Sequence, residues 1–318
     1  MNSEALISKI VSLSSHDGPG MRTTVFFKGC PLQCRWCHNP ENISSIPEHE
    51  WHERICIGCR RCKEVCPLGA ISFGNNGLSI DKAVCSKCMT CIEACPSKAL
   101  KATGRWYSLE EVLLRILKDE DLLRSMDGGV TFSGGEPALQ YIFIEQLALE
   151  LKNRNIHVAL DTCGHVTHSV FERLLPSIDL ILFDIKEINP EKHHEFTGSE
   201  NSRILDSLFF IADFIRSKSL QTTIWIRTPL IPEMTATREN VSGIGRLISD
   251  NLSDLAERWE LCMFNNMCVE KYKQLGVCWE LSETPLMCAT EAASLLETAK
   301  MSAPRIKHVT ASGLTNKQ

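Results

Sequence analysis

No stretch of this 318-residue chain approaches the roughly 20 consecutive apolar residues that a bilayer-crossing helix needs. There is no basic run, and the formal charge is −5, which disfavours a nucleic-acid partner. Residues 1–10 contain Glu4 and lack an apolar run, so a secretory signal is not expected there. Together these absences predict a cytoplasmic protein without a membrane partner. In that compartment disulfides are scarce, so sixteen cysteines argue for metal. A hydrophobic content of 43% suffices for a sizeable core plus a small additional domain.

The cysteines are patterned. Cys30, Cys34 and Cys37 are spaced C-x3-C-x2-C. Three thiolates can hold three corners of a four-iron cluster and leave the fourth iron open to a small molecule. The competing reading is a zinc knuckle with His38 as fourth ligand. Cys56, Cys59, Cys62 and Cys66 follow as C-x2-C-x2-C-x3-C before Pro67. Cys85, Cys88, Cys91 and Cys95 repeat that run 29 residues later, before Pro96. In bacterial two-cluster ferredoxins the fourth cysteine of each such run ligates the other cluster. The expected sets are therefore Cys56, Cys59, Cys62 and Cys95 for one cluster, and Cys85, Cys88, Cys91 and Cys66 for the other. A disulfide framework fits this repeat poorly. Cys163, Cys262, Cys268, Cys278 and Cys288 match no ligand pattern and read as buried or surface thiols.

The polar stretch 43–53 reads as a linker into an insertion. Ser108 and Glu111 form a capping-box pattern ahead of an apolar face at Val112, Leu113, Ile116 and Leu117. From there strands and helices alternate. Strands are expected at 24–27, 130–132, 157–160, 180–183, 222–227 and 259–264. Helices are expected at 138–153, 169–175, 202–217, 237–250 and 291–301, the first with Ile142, Ile144, Leu147 and Leu151 inward. Alternation implies a parallel sheet. Six βα units fall short of a closed eight-unit barrel, so the expected fold class is α/β, a partial (β/α)6 TIM-like barrel. The expected domains are a first core part at 1–47, a ferredoxin-like insertion at 48–103, and the rest of the core at 104–318. Chemistry in parallel barrels collects at the carboxyl ends of strands. The cysteine triad, Gly134–Gly135–Glu136, Asp161–Thr162, and Asp184 with Lys186 all follow strands and should open onto one rim.

With those residues in place, the chain resembles the radical S-adenosylmethionine (SAM) superfamily. Within it, the chain is similar to glycyl-radical-enzyme activating enzymes that carry a ferredoxin-like insertion. The matching motifs are HDGPG from His16, FFKGCPLQCRWCHNPE from Phe26, TFSGGEP from Thr131, DTCG from Asp161 and FDIK from Phe183. WIRTPLIP from Trp225 and WELCMFN from Trp259 match as well.

The resemblance implies an activase that uses SAM, three [4Fe–4S] clusters (one catalytic, two auxiliary) and a monovalent cation, Na+ or K+. Cys30, Cys34 and Cys37 would hold the catalytic cluster, with Trp36 and His38 flanking SAM. Gly134 and Gly135 would let the backbone approach the ligand. Glu136 would hold the SAM ammonium, and Lys186 would pair with its carboxylate. Asp161, Thr162 and Asp184 would bind the cation. The cysteine at the third place of DTCG departs from the more frequent asparagine or serine. Asp17 would meet the partner, a glycyl radical enzyme of the lyase, dehydratase or decarboxylase kind. A flavodoxin or ferredoxin would supply electrons. Two other readings stand beside this one: a radical SAM enzyme acting on another peptide or a small molecule, and an iron–sulfur electron-transfer protein.

Overall fold

Apolar β-branched runs separated by amphipathic segments build a single nine-stranded sheet flanked by helices. The computed structural model describes residues 4–75 and 77–316; the expected domain limits at residues 1–3 and 317–318 lie outside the described residues. In chain order the elements are β1 (Glu4–Ser14), β2 (Arg22–Phe27), β3 (His49–Trp51), α1 (Arg61–Glu64), β4 (Ile71–Gly74), β5 (Gly77–Ile80), α2 (Thr90–Glu93), β6 (Leu100–Ala102) and β7 (Arg105–Ser108). Next come α3 (Leu109–Leu117), α4 (Glu120–Ser125), β8 (Gly129–Gly134), α5 (Tyr141–Lys152), β9 (His157–Thr162), α6 (His168–Leu174), β10 (Leu180–Asp184), α7 (Pro190–Thr197) and α8 (Ser202–Lys218). The chain closes with β11 (Thr223–Leu230), α9 (Arg238–Asn251), β12 (Ala256–Met263), α10 (Val269–Gln274), α11 (Ala289–Ser302) and β13 (His308–Ser312).

The large sheet runs β13-β12-β11-β10-β9-β8-β2-β1-β7. From β2 to β13 every neighbouring pair is parallel. β1 lies antiparallel between β2 and β7. Each parallel strand is followed in space by the next one in sequence, as short crossover connections dictate. The carboxyl ends of β2, β8, β9, β10, β11 and β12 therefore line one edge. The core between sheet and helices is apolar, with Phe27, Phe132, Phe171, Phe183 and Trp259 fully buried.

Several elements differ from the sequence expectation. Among the described residues there are seven parallel strands, because β13 adds one beyond the six anticipated. It is a half-exposed edge strand of five residues, with little apolar patterning to reveal it. β1 buries only Ala5, Leu6 and Ile7, so its alternation fades along its length. The expected helix at 138–153 begins as a 3-10 turn at Pro137–Gln140 and becomes α-helical at Tyr141. That offset turns Ile142 out to solvent, while Phe143 takes the inward place beside Ile144, Leu147 and Leu151. The capping box is present as expected: the Ser108 hydroxyl accepts from the Glu111 amide, and Glu111 accepts from the Ser108 amide.

The cysteine-rich segment hangs from the sheet by a narrow stem. The Thr103 amide donates to the Glu48 carbonyl at 2.8 Å, and the Glu48 amide to the Thr103 hydroxyl at 3.0 Å. The buried Lys28 ammonium joins the stem to the loop after β2, donating to the Thr103 hydroxyl and the Glu41 carbonyl. Burial pushes this amine down to about 8.

The 29-residue repeat is visible in the backbone. α1 and α2 occupy matched positions, and each is preceded by a left-handed residue, Arg60 at φ 60° and Met89 at φ 64°. Gly58 and Lys87, and Gly69 and Lys98, are matched left-handed pairs too. The strands pair across the repeat, β3 with β6 and β4 with β5. A small separate core of Cys62, Ile71, Cys91 and Leu100 fills the interior.

Candidate functional site

After β2 the chain leaves the sheet and folds back on itself. The Gly29 and Cys30 amides donate to the carbonyls of Asn42 and Ile43. The Gly135 and Glu136 amides donate to Phe27 and Gly29 at 2.9 and 2.7 Å, tying the turn after β8 onto the cysteine loop. A Cβ on Gly134 would stand 2.3 Å from the Phe27 carbonyl oxygen, and one on Gly135 would stand 2.2 Å from that of Gly29. Side chains are thus excluded by the cysteine loop itself, before any ligand is considered.

The cysteine loop, the glycine turn and the strand ends enclose a cavity of about 230 Å3. Cys30, Cys34 and Cys37 face it together with Trp36, His38, Gly134, Gly135, Asp161, Thr162, Asp184 and Lys186. Among the described residues, no three His, Cys, Asp or Glu side chains stand at the spacing of ligands to one ion. The three thiols share the cavity wall, while His38 is bonded away from them. Its Nε2 donates to the Asn265 carbonyl at 3.0 Å, and burial lowers its basicity.

Charges are concentrated at the strand ends. The Lys186 ammonium donates to Asp184 at 2.5 Å. Burial works against this cation, yet Asp184 and the neighbouring thiols outweigh it and hold the amine above its ordinary value. Asp161 accepts from the Ser133 hydroxyl at 2.7 Å. Burial raises its carboxyl to about 7, and Asp184 and Asp17 add to that while Arg227 opposes it. The Arg227 guanidinium lies 3.4 Å from Asp161, 3.6 Å from Asp17 and 4.0 Å from Asp184. It stands among three carboxylates, which hold it charged, and its Nε has no hydrogen-bond partner.

Glu136, expected beside SAM, and Asp17, expected to meet the partner, both lie outside the cavity lining. Glu136 does not line the cavity. Its carboxylate is fully buried and accepts from the Thr162 hydroxyl, the Cys163 amide and the Ala138 amide at 2.8–3.0 Å. These protein donors occupy the oxygens that were expected to hold an ammonium. Asp17 sits in the loop between β1 and β2 and does not line the cavity either. Its carbonyl accepts from Thr131, its carboxylate meets Thr24 at 3.5 Å, and Arg227 links it to the strand-end acids.

Other site residues escaped the sequence reading. Arg227, Cys163 and Cys262 face the cavity. Cys163 and Cys30 are neighbours on its wall, and that neighbour together with burial raises the Cys163 thiol. The segment after β12 grips the cysteine loop by its carbonyls. Tyr272 donates to Cys37 at 2.9 Å, Lys271 to His38 at 2.8 Å, and Trp279 to Arg35 at 2.7 Å. Tyr272 and Trp279 stack at 4.8 Å within a second core that includes Trp36, Phe196 and Phe264. The cue for Arg227 was its alternating strand, which places it beside Asp184 in register. No local pattern announced the grip from the segment after β12.

The repeated cysteines gather as two sets. Cys56, Cys59, Cys62 and Cys95 line one small cavity, and Cys66, Cys85, Cys88 and Cys91 line another. Each set takes three thiols from one repeat and the fourth from its copy.

The profile of the Radical SAM superfamily matches residues 24–238, which span the cysteine triad, the glycine turn and the strand-end acids. The chain belongs to the radical SAM superfamily, whose members imply SAM and a [4Fe–4S] cluster. Within the superfamily it falls among the glycyl-radical-enzyme activating enzymes. It is 39% identical over 268 residues to the isethionate sulfite-lyase activating enzyme of Oleidesulfovibrio alaskensis, covering 83% of this chain and 84% of that one. To the trans-4-hydroxy-L-proline dehydratase activating enzyme of Clostridioides difficile it is 41% identical over 237 residues, covering 74% and 76%. Streptococcus suis SuiB bound to its precursor peptide SuiA shares the fold, with TM-score 0.51 and 11% identity over 89% of this chain and 46% of that one. Among the described residues, no helix is long and apolar enough to cross a membrane.

Proposed function

We propose that this chain activates a partner enzyme of the lyase, dehydratase or decarboxylase kind by installing a radical on a glycine Cα. The observation that carries the reading is the single cavity onto which Cys30, Cys34, Cys37, the Gly134–Gly135 turn, Asp161, Asp184, Lys186 and Arg227 all open. When bound there, a [4Fe–4S] cluster supplies the electron that splits SAM into methionine and the 5′-deoxyadenosyl radical, which removes the glycine hydrogen.

The donor set fits that chemistry. Cys30, Cys34 and Cys37 give three thiolates and leave one corner for SAM. The paired Lys186 ammonium is placed to take the SAM carboxylate by a charge-assisted bond. Trp36 and His38 wall the cavity and keep water from the reacting atoms. Asp161, Thr162 and Asp184 form a polar pocket for a monovalent cation, in which Arg227 already supplies positive charge. Asp17, held by Arg227, answers to the approach of the partner. Glu136 keeps the turn after β8 in place, leaving the ammonium to other groups.

The two four-thiol sets fit two auxiliary [4Fe–4S] clusters, with the cross-repeat fourth ligand of two-cluster ferredoxins. In this reading residues 48–103 are a ferredoxin-like insertion in an open, partial barrel formed by 1–47 and 104–318. The test is anaerobic electron paramagnetic resonance of the reconstituted chain with SAM, reductant and candidate partner enzymes. A glycyl doublet in one partner supports the reading. SAM left uncleaved by the reduced, iron-replete chain would end it.

A further inference from the structure

The two halves of the cysteine-rich segment share a backbone but differ in their surfaces. We propose that the first half carries the docking face for an acidic, one-electron carrier protein, which delivers its electron at the Cys56, Cys59, Cys62 and Cys95 set. This rests on the reading of those thiols as cluster ligands.

Cys59 is an exposed thiol of that set. Around it Ile55 and Ile57 stand in solvent at 46% and 68% exposure. Arg54, Arg60, Arg61 and Lys63 are exposed beside them. At the matched places of the second repeat, Arg60, Arg61 and Lys63 are replaced by Met89, Thr90 and Ile92. The basic residues are therefore not demanded by the shared backbone. Within the chain, Arg54, Arg61 and Lys63 form no ion pair among the described residues, and Arg60 only stacks over Phe73 at 5.8 Å. Glu53 and Glu64 are exposed in the same stretch, so residues 53–64 carry four cations against two acids around two exposed isoleucines and a cysteine, in a protein of net charge −5. An apolar centre with a charged rim is the anatomy of a transient interface, and the rim charges steer an oppositely charged partner.

In the second set Cys88 is exposed as Cys59 is, but no cluster of cations surrounds it among the described residues, and Cys85 faces the body of the chain. Lys87 pairs with Glu48 of the stem at 3.6 Å. Cys85 and Lys87 line a cavity of about 940 Å3 whose opposite wall includes Lys273, Leu275 and Val277. The electron therefore enters at the first set, whose rim is basic, and passes to the second, whose Lys87 is tied to the stem. The carrier loses one electron and this chain gains it. No bond forms or breaks.

The test mixes the reconstituted chain with a flavodoxin in its hydroquinone state under anaerobic stopped flow and follows flavin absorbance. Sodium dithionite, which needs no docking face, is run in parallel, and iron is assayed in every sample. The R61E/K63E double variant is expected to lose roughly tenfold in second-order rate at low salt, with a flattened salt dependence. Its dithionite reduction and iron content should match wild type, and Lys307→Glu, elsewhere on the surface, should leave the rate unchanged. An unchanged flavodoxin rate in iron-replete R61E/K63E would overturn the proposal. So would an equal slowing of partner activation with dithionite, which would assign the face to the partner enzyme. Wild-type protein lacking iron in this segment would instead sink the cluster reading beneath the proposal, and the iron assay separates that result from the others.

Discussion

Replacing Glu136 by alanine should unfold the protein more readily, not merely loosen its hold on SAM. The carboxylate is fully buried and takes four contacts from three donors, the Thr162 hydroxyl and the Cys163 and Ala138 amides. Each buried donor left without an acceptor costs about 1–3 kcal/mol. Relaxation and a trapped water would recover part of that, so a net loss of about 3 kcal/mol is expected. Total stability is typically about 5–15 kcal/mol, so the loss is large. For a chain of this size it corresponds to a fall of roughly 5 °C in Tm. The assay is thermal or urea unfolding of cluster-free wild type, Glu136→Ala and Glu136→Gln, followed by SAM binding to the reconstituted proteins. The glutamine variant keeps one acceptor oxygen but turns an amide NH2 against a donor, so an intermediate loss is expected. An alanine variant with wild-type Tm and abolished SAM binding would refute the reasoning and restore Glu136 as an ammonium ligand.

Cys34→Ala should abolish SAM cleavage and lower bound iron by about one cluster's worth while the two four-thiol sets stay filled; iron analysis and electron paramagnetic resonance check this. Gly135→Ala places a Cβ 2.2 Å from the Gly29 carbonyl oxygen and 2.7 Å from that of Asn42. Neither backbone atom can give way, so SAM binding and thermal stability should fall together, measurable by calorimetry. His193 is buried, its Nδ1 is bonded to the Ser199 carbonyl, and burial lowers its basicity to about 4. The unfolded chain takes up that proton near 6.5, so stability is complete above that pH and is lost as pH falls towards 4. A loss of about 2 kcal/mol between pH 7.5 and 5 is expected from the urea midpoint, absent in His193→Asn.

What could be read from the sequence followed from how local each signal was. The crossed grouping of the cysteines was legible because a repeated run with fixed spacing specifies a repeated backbone, and that backbone brings three thiols of each run beside the fourth of the other. The strand-end residues Asp161, Thr162, Asp184 and Lys186 were legible because parallel topology sends successive carboxyl ends to one edge. α7 was overlooked although Asn189 caps it, Pro190 starts it and left-handed Gly198 ends it, all recognisable signs. The surroundings of Glu136 were not legible: a motif names a residue but not where its carboxylate points, and here it takes donors from the end of β9, the residue after it and the turn after β8. Lys271, Tyr272 and Trp279 were illegible because they meet the cysteine loop across more than 230 residues of chain. No pattern of spacing reports a contact that only the completed sheet brings together.

The stem sets how independent residues 49–102 are of the sheet. Glu48 and Thr103 bond directly to each other, so the polypeptide departs and returns at one doorway. A tight turn could bridge that doorway, and Lys28 would keep the Glu41 carbonyl as an anchor. Shortening the chain between Glu48 and Thr103 would therefore leave the hydrogen bonds of the sheet beneath it untouched.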